Sequence, residues 1–396
     1  MRGRLRGTLF WLLTLGVLGW AAARQIDLPA PRFVPQAITP GITPATAAFH
    51  ADFIPSAPGA PAVHAATLVR LKDGTLMAAW FGGSHEAAPD VKIYAADYAN
   101  GHWSTPRALT GRHRTQQAVQ RMVRMIGNPL LFHTADGALN LLYVSVGIGG
   151  WSGSALNLMR STDGGLHFDA PRRLVLTPLL NISTLVKQDP QPLADGSIAI
   201  PIYNESMGIF PEWLRLSRHG EVLGKYRIAG GKDLLQPALV PLTTQHVLAF
   251  MRYKGPAPHR VMRAESVDGG QHWSTPTATD VPNPNSAVAV LRLRDGRLLM
   301  AANPIRSNRN VLALLISRDD GRHWQRIVTL EEGGSEAEFS YPYMIRSGDR
   351  IDLAYTWRRK RIRHVRFNLN WLNGKARAAQ RDPAAADRPI FQESGS

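Results

Sequence analysis

The chain has 396 residues, 44% of them hydrophobic and 19% charged. That is enough for one large domain or two ordinary ones with a sizeable core. It has no cysteine, which excludes disulfides, thiol catalysis, zinc–thiolate sites and cysteine lipidation. Its formal net charge of +16 suits an anionic partner: nucleic acid, a membrane surface or an acidic polysaccharide. The basic residues are scattered apart from one cluster at Arg358, Arg359, Lys360, Arg361 and Arg363. No nucleic-acid motif occurs, so most of this charge reads as solvated surface and the remainder as a site for an acidic ligand.

In chain order, Arg2, Arg4 and Arg6 precede an uncharged run from Thr8 to Ala23, which ends in Ala21, Ala22 and Ala23. A basic head, a short apolar stretch and a small-residue end are the parts of a secretory signal. The run is short of the roughly 20 residues of a spanning helix. Residues 1–24 are therefore read as a cleaved signal or an inner-membrane anchor through residues 8–23, and the protein as exported, periplasmic or anchored facing the periplasm. Residues 25–61 are rich in proline (29, 31, 35, 40, 44, 55, 58 and 61) and read as an extended linker. Residues 373–396 read as a flexible tail.

Between them lies an internal repeat. An apolar stretch, an Asp-Gly turn and a second apolar stretch recur at Asp73-Gly74, Asp136-Gly137, Asp195-Gly196 and Asp295-Gly296. Variants stand at Thr243-Thr244 and, inverted, at Gly348-Asp349. Asp-Gly between β-rich runs is a hairpin signal, because both residues tolerate positive φ. A second pattern, S-x-D-x-G-x-x-[FW], interleaves with the first at Ser161–Phe168, Ser266–Trp273 and Ser317–Trp324. It reads as a hairpin lock in which the Asp caps turn amides, the Gly takes a left-handed dihedral and the aromatic packs beneath. Each unit holds two hairpins, hence four strands. Six units over residues 62–372 predict an all-β, six-bladed β-propeller.

The S-x-D-x-G-x-x-W boxes resemble the Asp-boxes, or BNR repeats, of the sialidase family. Trp80–Glu86, Gly127–Pro129, Gln236–Val240, Pro282–Asn285, Phe339–Pro342 and Tyr355–Arg358 resemble stretches of bacterial predicted neuraminidases. The resemblance covers the whole repeat region and implies a propeller of the sialidase type. Members of that family use a tyrosine nucleophile activated by a glutamate, an aspartate as acid/base and three arginines that hold a substrate carboxylate. The tyrosine departs from the usual carboxylate pair of glycosidases, and the arginine fork matches a carboxylate bidentately.

Carried over residue by residue, the resemblance implies Asp90 as acid/base, with Glu86 as second choice. It implies Tyr341 as nucleophile, with Tyr343 nearby. Arg252, Arg309 (or Arg306) and Arg358 would bind the carboxylate; Arg124 and Lys187 are further cationic candidates. Two positions depart from the pattern. His64 stands where the family places an arginine, and a histidine there can serve as general acid or base. Gln236 and Asn285 are neutral amides where the activating glutamate is expected, and Glu338 is the nearest substitute.

There is no H-E-x-x-H, EF-hand loop or glycine-rich phosphate cradle, so neither metal nor cofactor is expected. The leading expectation is an exo-acting, sialidase-like glycoside hydrolase for a terminal acidic sugar. A uronate-directed lyase or other glycosidase on the same frame is the second reading. A non-catalytic glycan-binding propeller is the third.

Overall fold

A computed structural model describes residues 8, 10–20, 29–38, 46–177, 181–206, 208–228 and 230–391. Six sheets of four or five strands, antiparallel apart from one added edge strand, stand side by side as the blades of a propeller. Blade 1 runs from the inner strand Ala62–Arg70 through Leu76–Gly83 and Lys92–Ala99 to short outer strands. Blades 2, 4 and 5 begin on Met125–His133, Leu234–Pro241 and Ala289–Arg292. In blade 3 the inner position is split between Leu185–Val186 and Gln191–Pro192. Blade 6 begins on Phe339–Ser347, and the inner strands of neighbouring blades pack on one another. Both faces of each sheet are covered, so Leu76–Gly83 and Leu139–Val146 are buried at every position, the latter including Asn140 and Ser145.

The Asp-Gly turns lie at one end of the blades, here called the lower face. The three Asp-boxes form the expected lock. Ser266 Oγ donates to Asp268 Oδ1 (2.8 Å) and accepts from the Gly270 amide (2.9 Å), and Asp268 Oδ1 accepts the His272 amide (3.0 Å). Ser161/Asp163 and Ser317/Asp319 repeat the pattern. Gly321 (φ +79°) shows why the box demands glycine, since a Cβ there would overlap the Phe250 ring.

Two boundaries differ from the sequence reading. Phe49–Phe53, within the supposed linker, is the outer strand of blade 6 and pairs with Arg361–Asn368 from Phe49↔Phe367 to Phe53↔Arg363. This joins the two ends of the propeller in one sheet and covers an otherwise open strand edge. The supposed tail instead continues a helix, Leu369–Arg381. Its Asn368 N-cap accepts from the Trp371 amide, and its Leu369, Leu372, Ala376 and Ala379 are buried. Pro389–Phe391 then pairs parallel to Gln325–Glu332. The alanine-rich composition that suggested fraying also suits an amphipathic helix on a blade edge. Residues 10–20 are helical with their apolar side chains largely exposed, and no helix among the described residues is long and apolar enough to cross a membrane.

Candidate active site

Four inner strands break their ladder near the upper face. In blade 1, Ala65 and Ala66 together oppose Trp80, between the pairs His64↔Phe81 and Thr67↔Ala79. Asn128-Pro129, Gln236-Pro237 and Tyr341-Pro342 interrupt blades 2, 4 and 6 in the same way. Proline cannot donate to the ladder, so pairing skips there. Ala65, Asn128, Gln236 and Tyr341 all take positive φ, between 46° and 56°. These bulges re-aim side chains at equivalent heights of the blades.

Tyr341 is the centre of the cluster that results. Its phenol oxygen accepts from Gln236 Nε2 (3.2 Å) and from Arg252 Nη1 (3.4 Å). Arg252 also donates to Gln236 Oε1 (3.2 Å) and to Asn285 Oδ1 (2.5 Å). The Arg309 guanidinium carbon lies 5.9 Å from the Tyr341 ring centre, and Lys187 Nζ lies 5.8 Å from it. His64 packs on the same ring with centroids 4.2 Å apart.

A second layer joins blades 1, 5 and 6. Glu338 accepts from Arg309 (3.1 Å), from Arg359 Nε (2.6 Å) and from Ser340 Oγ (2.6 Å). Arg359 also pairs with Glu86, in the loop between the second and third strands of blade 1. Burial alone would raise the Glu338 carboxyl, but the bonds from Arg359 and Ser340 and the nearby cations bring it down to about 2. Burial drives the His64 imidazole well below its ordinary value; Arg359 adds to this and Glu338 opposes it.

Lys187 is buried with a single long bond, to the Ala66 carbonyl (3.4 Å), and desolvation lowers its ammonium to about 7. Nearby, Tyr343 donates to Asp189 (2.8 Å). Burial raises the Asp189 carboxyl to about 7, against the pull of the Tyr343 and Gln191 bonds.

The structure thus brings His64, Tyr341, Arg252, Arg309, Lys187 and, through Arg359, Glu86 into one network. Three proposed residues fall outside it. Asp90 is exposed and turns back on its own loop, accepting from the Ser84 amide and hydroxyl (both 2.9 Å). Those bonds hold its carboxyl below the usual value. It borders a cleft of about 600 Å³ that Lys92, Thr110 and Arg112 also line. The Arg358 side chain lies against the Trp357 ring, 5.2 Å from its centre, while its neighbour Arg359 makes the pairs with Glu338 and Glu86. Adjacent residues of a hairpin turn face apart, so the arginine run Arg358–Arg359 left a one-residue choice open. Arg124 is exposed just before the inner strand of blade 2. Among the described residues no group of three His, Asp or Glu side chains is placed to hold a metal.

A six-bladed frame with Asp-box locks and an arginine-ringed tyrosine at the inner strands defines a sialidase-like propeller. The family profile of the BNR repeat-like domain matches residues 74–353, and the chain belongs to that family. Among solved structures it is similar to a Hadza microbial sialidase (TM-score 0.66, 15% identity), with 79% of this chain and 66% of that one covered. A protein of unknown function from Dyadobacter fermentans is similar over 86% of this chain and all of its own length (TM-score 0.65, 14% identity). The Trypanosoma rangeli sialidase bound to the inhibitor DANA is similar over 81% of this chain and 57% of its own (TM-score 0.59, 13% identity). No curated protein sequence matches the chain.

Proposed function

We propose that this chain is an exported, sialidase-like glycoside hydrolase that removes a terminal acidic sugar. The observation that carries this reading is Tyr341, whose phenol oxygen accepts from both Gln236 and Arg252. Two donors aimed at the phenol oxygen hold it in place at the centre of the cluster, and the surrounding cations suit a sugar carboxylate. In this reading Arg252 and Arg309 hold the carboxylate. The Tyr341 oxygen bonds to the anomeric carbon and its proton passes to neutral His64. The glycosidic C–O bond breaks, and its oxygen takes a proton from the loop of Glu86 and Asp90. Asp90 is the acid in that step, because the Glu86 carboxylate is the ion-pair partner of Arg359 and carries no proton to give. Water then releases the sugar from Tyr341. The basic, apolar N-terminus supports export to the periplasm or anchoring at its membrane.

A second reading is eliminative cleavage of a uronate by the His64/Tyr341 pair. It is favoured by one observation: the hydrogen bonds to the Tyr341 phenol come from an amide and a guanidinium, with no carboxylate among them. Turnover of a fluorogenic sialoside and of uronate-containing polysaccharides by the full chain and its Tyr341→Phe variant separates the two. Sialoside cleavage lost in the variant supports the hydrolase. An unsaturated uronate product supports the eliminase. Saccharide binding without turnover leaves a binding propeller.

A further inference from the structure

The N-terminal segment crosses the lower face before it joins blade 6. The Pro29 carbonyl accepts from Arg215 Nη1 (2.8 Å) on blade 3. The Ala194 amide donates to the Arg32 carbonyl (2.8 Å), and the Val34 amide to the Pro192 carbonyl (2.9 Å). The Phe33 amide donates to the Thr244 carbonyl (2.8 Å) in the lower turn of blade 4, and its ring is fully buried, 5.9 Å from that of Trp213. Arg346 of blade 6 then donates to Gln36 Oε1 (3.0 Å) and to the Ala37 carbonyl (3.1 Å). Residues 29–38 are thus fixed to blades 3, 4 and 6 at the end that carries the Asp-Gly turns. Tyr341, His64, Arg252 and the Glu86 loop lie at the other end.

Residues 10–20 form a helix. Phe10, Trp11, Leu12, Leu13, Leu15 and Leu18 are each about 60% exposed, on all sides of the helix. A helix that is apolar all round is a buried or lipid-embedded one, and arginines at 2, 4, 6 and 24 flank it. Nine chain steps join residue 20 to Pro29 and reach at most about 30 Å. A route to the upper face must rise the height of a strand, roughly 25 Å for seven residues, and also pass round the outer strands at about 5 Å each. A fully extended segment only just spans that path, so a relaxed one leaves its helix on the side of the lower face.

We infer that the lower face is the surface this protein turns toward a lipid bilayer, so that its site opens away from the membrane that holds it. This rests on the anchored form of the proposed localisation. The substrate is then a saccharide of the aqueous phase or of an opposing surface, and not a glycolipid of the same leaflet.

The absence of cysteine makes the test direct. Gln245→Cys, exposed in the lower turn of blade 4, and Ile148→Cys, exposed on an upper loop, each give the full chain one labelling site. Each labelled chain is bound to vesicles of equal parts phosphatidylethanolamine and phosphatidylglycerol that carry an energy acceptor on the headgroup. The expected result is co-flotation, with a larger loss of donor emission at 245 than at 148. A larger loss at 148, or equal losses, overturns the orientation while leaving the anchor intact. Failure to float with the vesicles overturns the anchor, and the inference with it. A melting profile matching that of the unsubstituted chain certifies each variant.

Discussion

The His64 imidazole lies 4.2 Å from the Tyr341 ring, centre to centre, and among the described residues neither of its nitrogens has a hydrogen-bond partner. A buried polar group left unpaired costs about 1–3 kcal/mol, so it marks a group held ready for a ligand or a proton. Because burial depresses its folded pKa, the unfolded chain binds the extra proton first. His64 therefore favours folding above its unfolded value of roughly 6.5 and loses that contribution as pH falls. His64→Phe keeps the ring packing. It should cost about 10²–10⁴ in kcat/KM while softening the acid decline in the thermal midpoint. Unchanged turnover would reduce His64 to a packing residue.

Glu338 and Arg359 form an ion pair within blade 6, and Arg359 extends it to Glu86 in the loop of blade 1. The Glu338 carboxyl, near 2 when folded, contributes stability that is complete above its unfolded value and is lost as pH falls toward 2. A depression of that size corresponds to about 2–3 kcal/mol. Arg359→Met leaves the carboxylate buried with fewer partners. The expected outcome is acid unfolding at a higher pH than in the unsubstituted chain, followed by circular dichroism. Identical acid midpoints would show the pair to be solvated and weak.

Lys187 opposes folding. Its ammonium is pulled down to about 7 by burial alone, so between pH 7 and its unfolded value the unfolded chain binds more protons and stability rises with pH. Lys187→Met should raise the thermal midpoint most below pH 7, with the gain shrinking in alkaline buffer. The same variant should lose turnover, since the charge beside Tyr341 and Tyr343 is gone. That combination, more stable and less active, is the signature of a functional buried charge. Destabilisation at every pH would instead make Lys187 a structural residue.

The Asp-boxes carry stability and no chemistry. Asp268 gathers the Ser266 hydroxyl and the Gln271 and His272 amides in one turn. Asp268→Ala leaves those donors to water and should cost about 1–2 kcal/mol. Calorimetry should show a midpoint lower by a few degrees, while kcat and KM stay as they were.

The fold was legible because its signals are local. Asp-Gly turns and Asp-boxes specify hairpins within eight residues, and their repetition fixes the blade count. The strand Phe49–Phe53 was not legible, since only its pairing with Arg361–Asn368, more than 300 residues later, makes it a strand. At the site, the family resemblance pointed to Tyr341 and His64 and the end of a second strand to Arg252, and the three lie in one cluster. Asp90 was misplaced because a carboxylate six residues from Ser84 can cap its own loop as readily as reach the axis. Arg359 was passed over for Arg358 because an arginine pair in a turn does not reveal which member pairs with Glu338 and Glu86. Asp189 was missed because nothing in its neighbourhood signals that burial against Tyr343 perturbs it.

Gln236 offers the sharpest discrimination between the two chemistries. Its Nε2 donates to the Tyr341 phenol while its Oε1 accepts from Arg252. Gln236→Glu changes one donor into an acceptor without changing the volume. The new carboxylate stays paired with Arg252, which limits the cost of its burial, and it can accept the phenol proton directly. If Tyr341 attacks an anomeric carbon, a base at this point speeds the step, and sialoside turnover should rise by about tenfold or more. If Tyr341 instead donates a proton to a leaving oxygen during elimination, a neighbouring carboxylate competes for that proton and uronate cleavage should fall. Paired kcat/KM measurements on the two substrates read the direction. A gain on the sialoside assigns nucleophilic attack to Tyr341, and a loss on both substrates would show that the donor pair Gln236 and Arg252 is itself what the phenol requires.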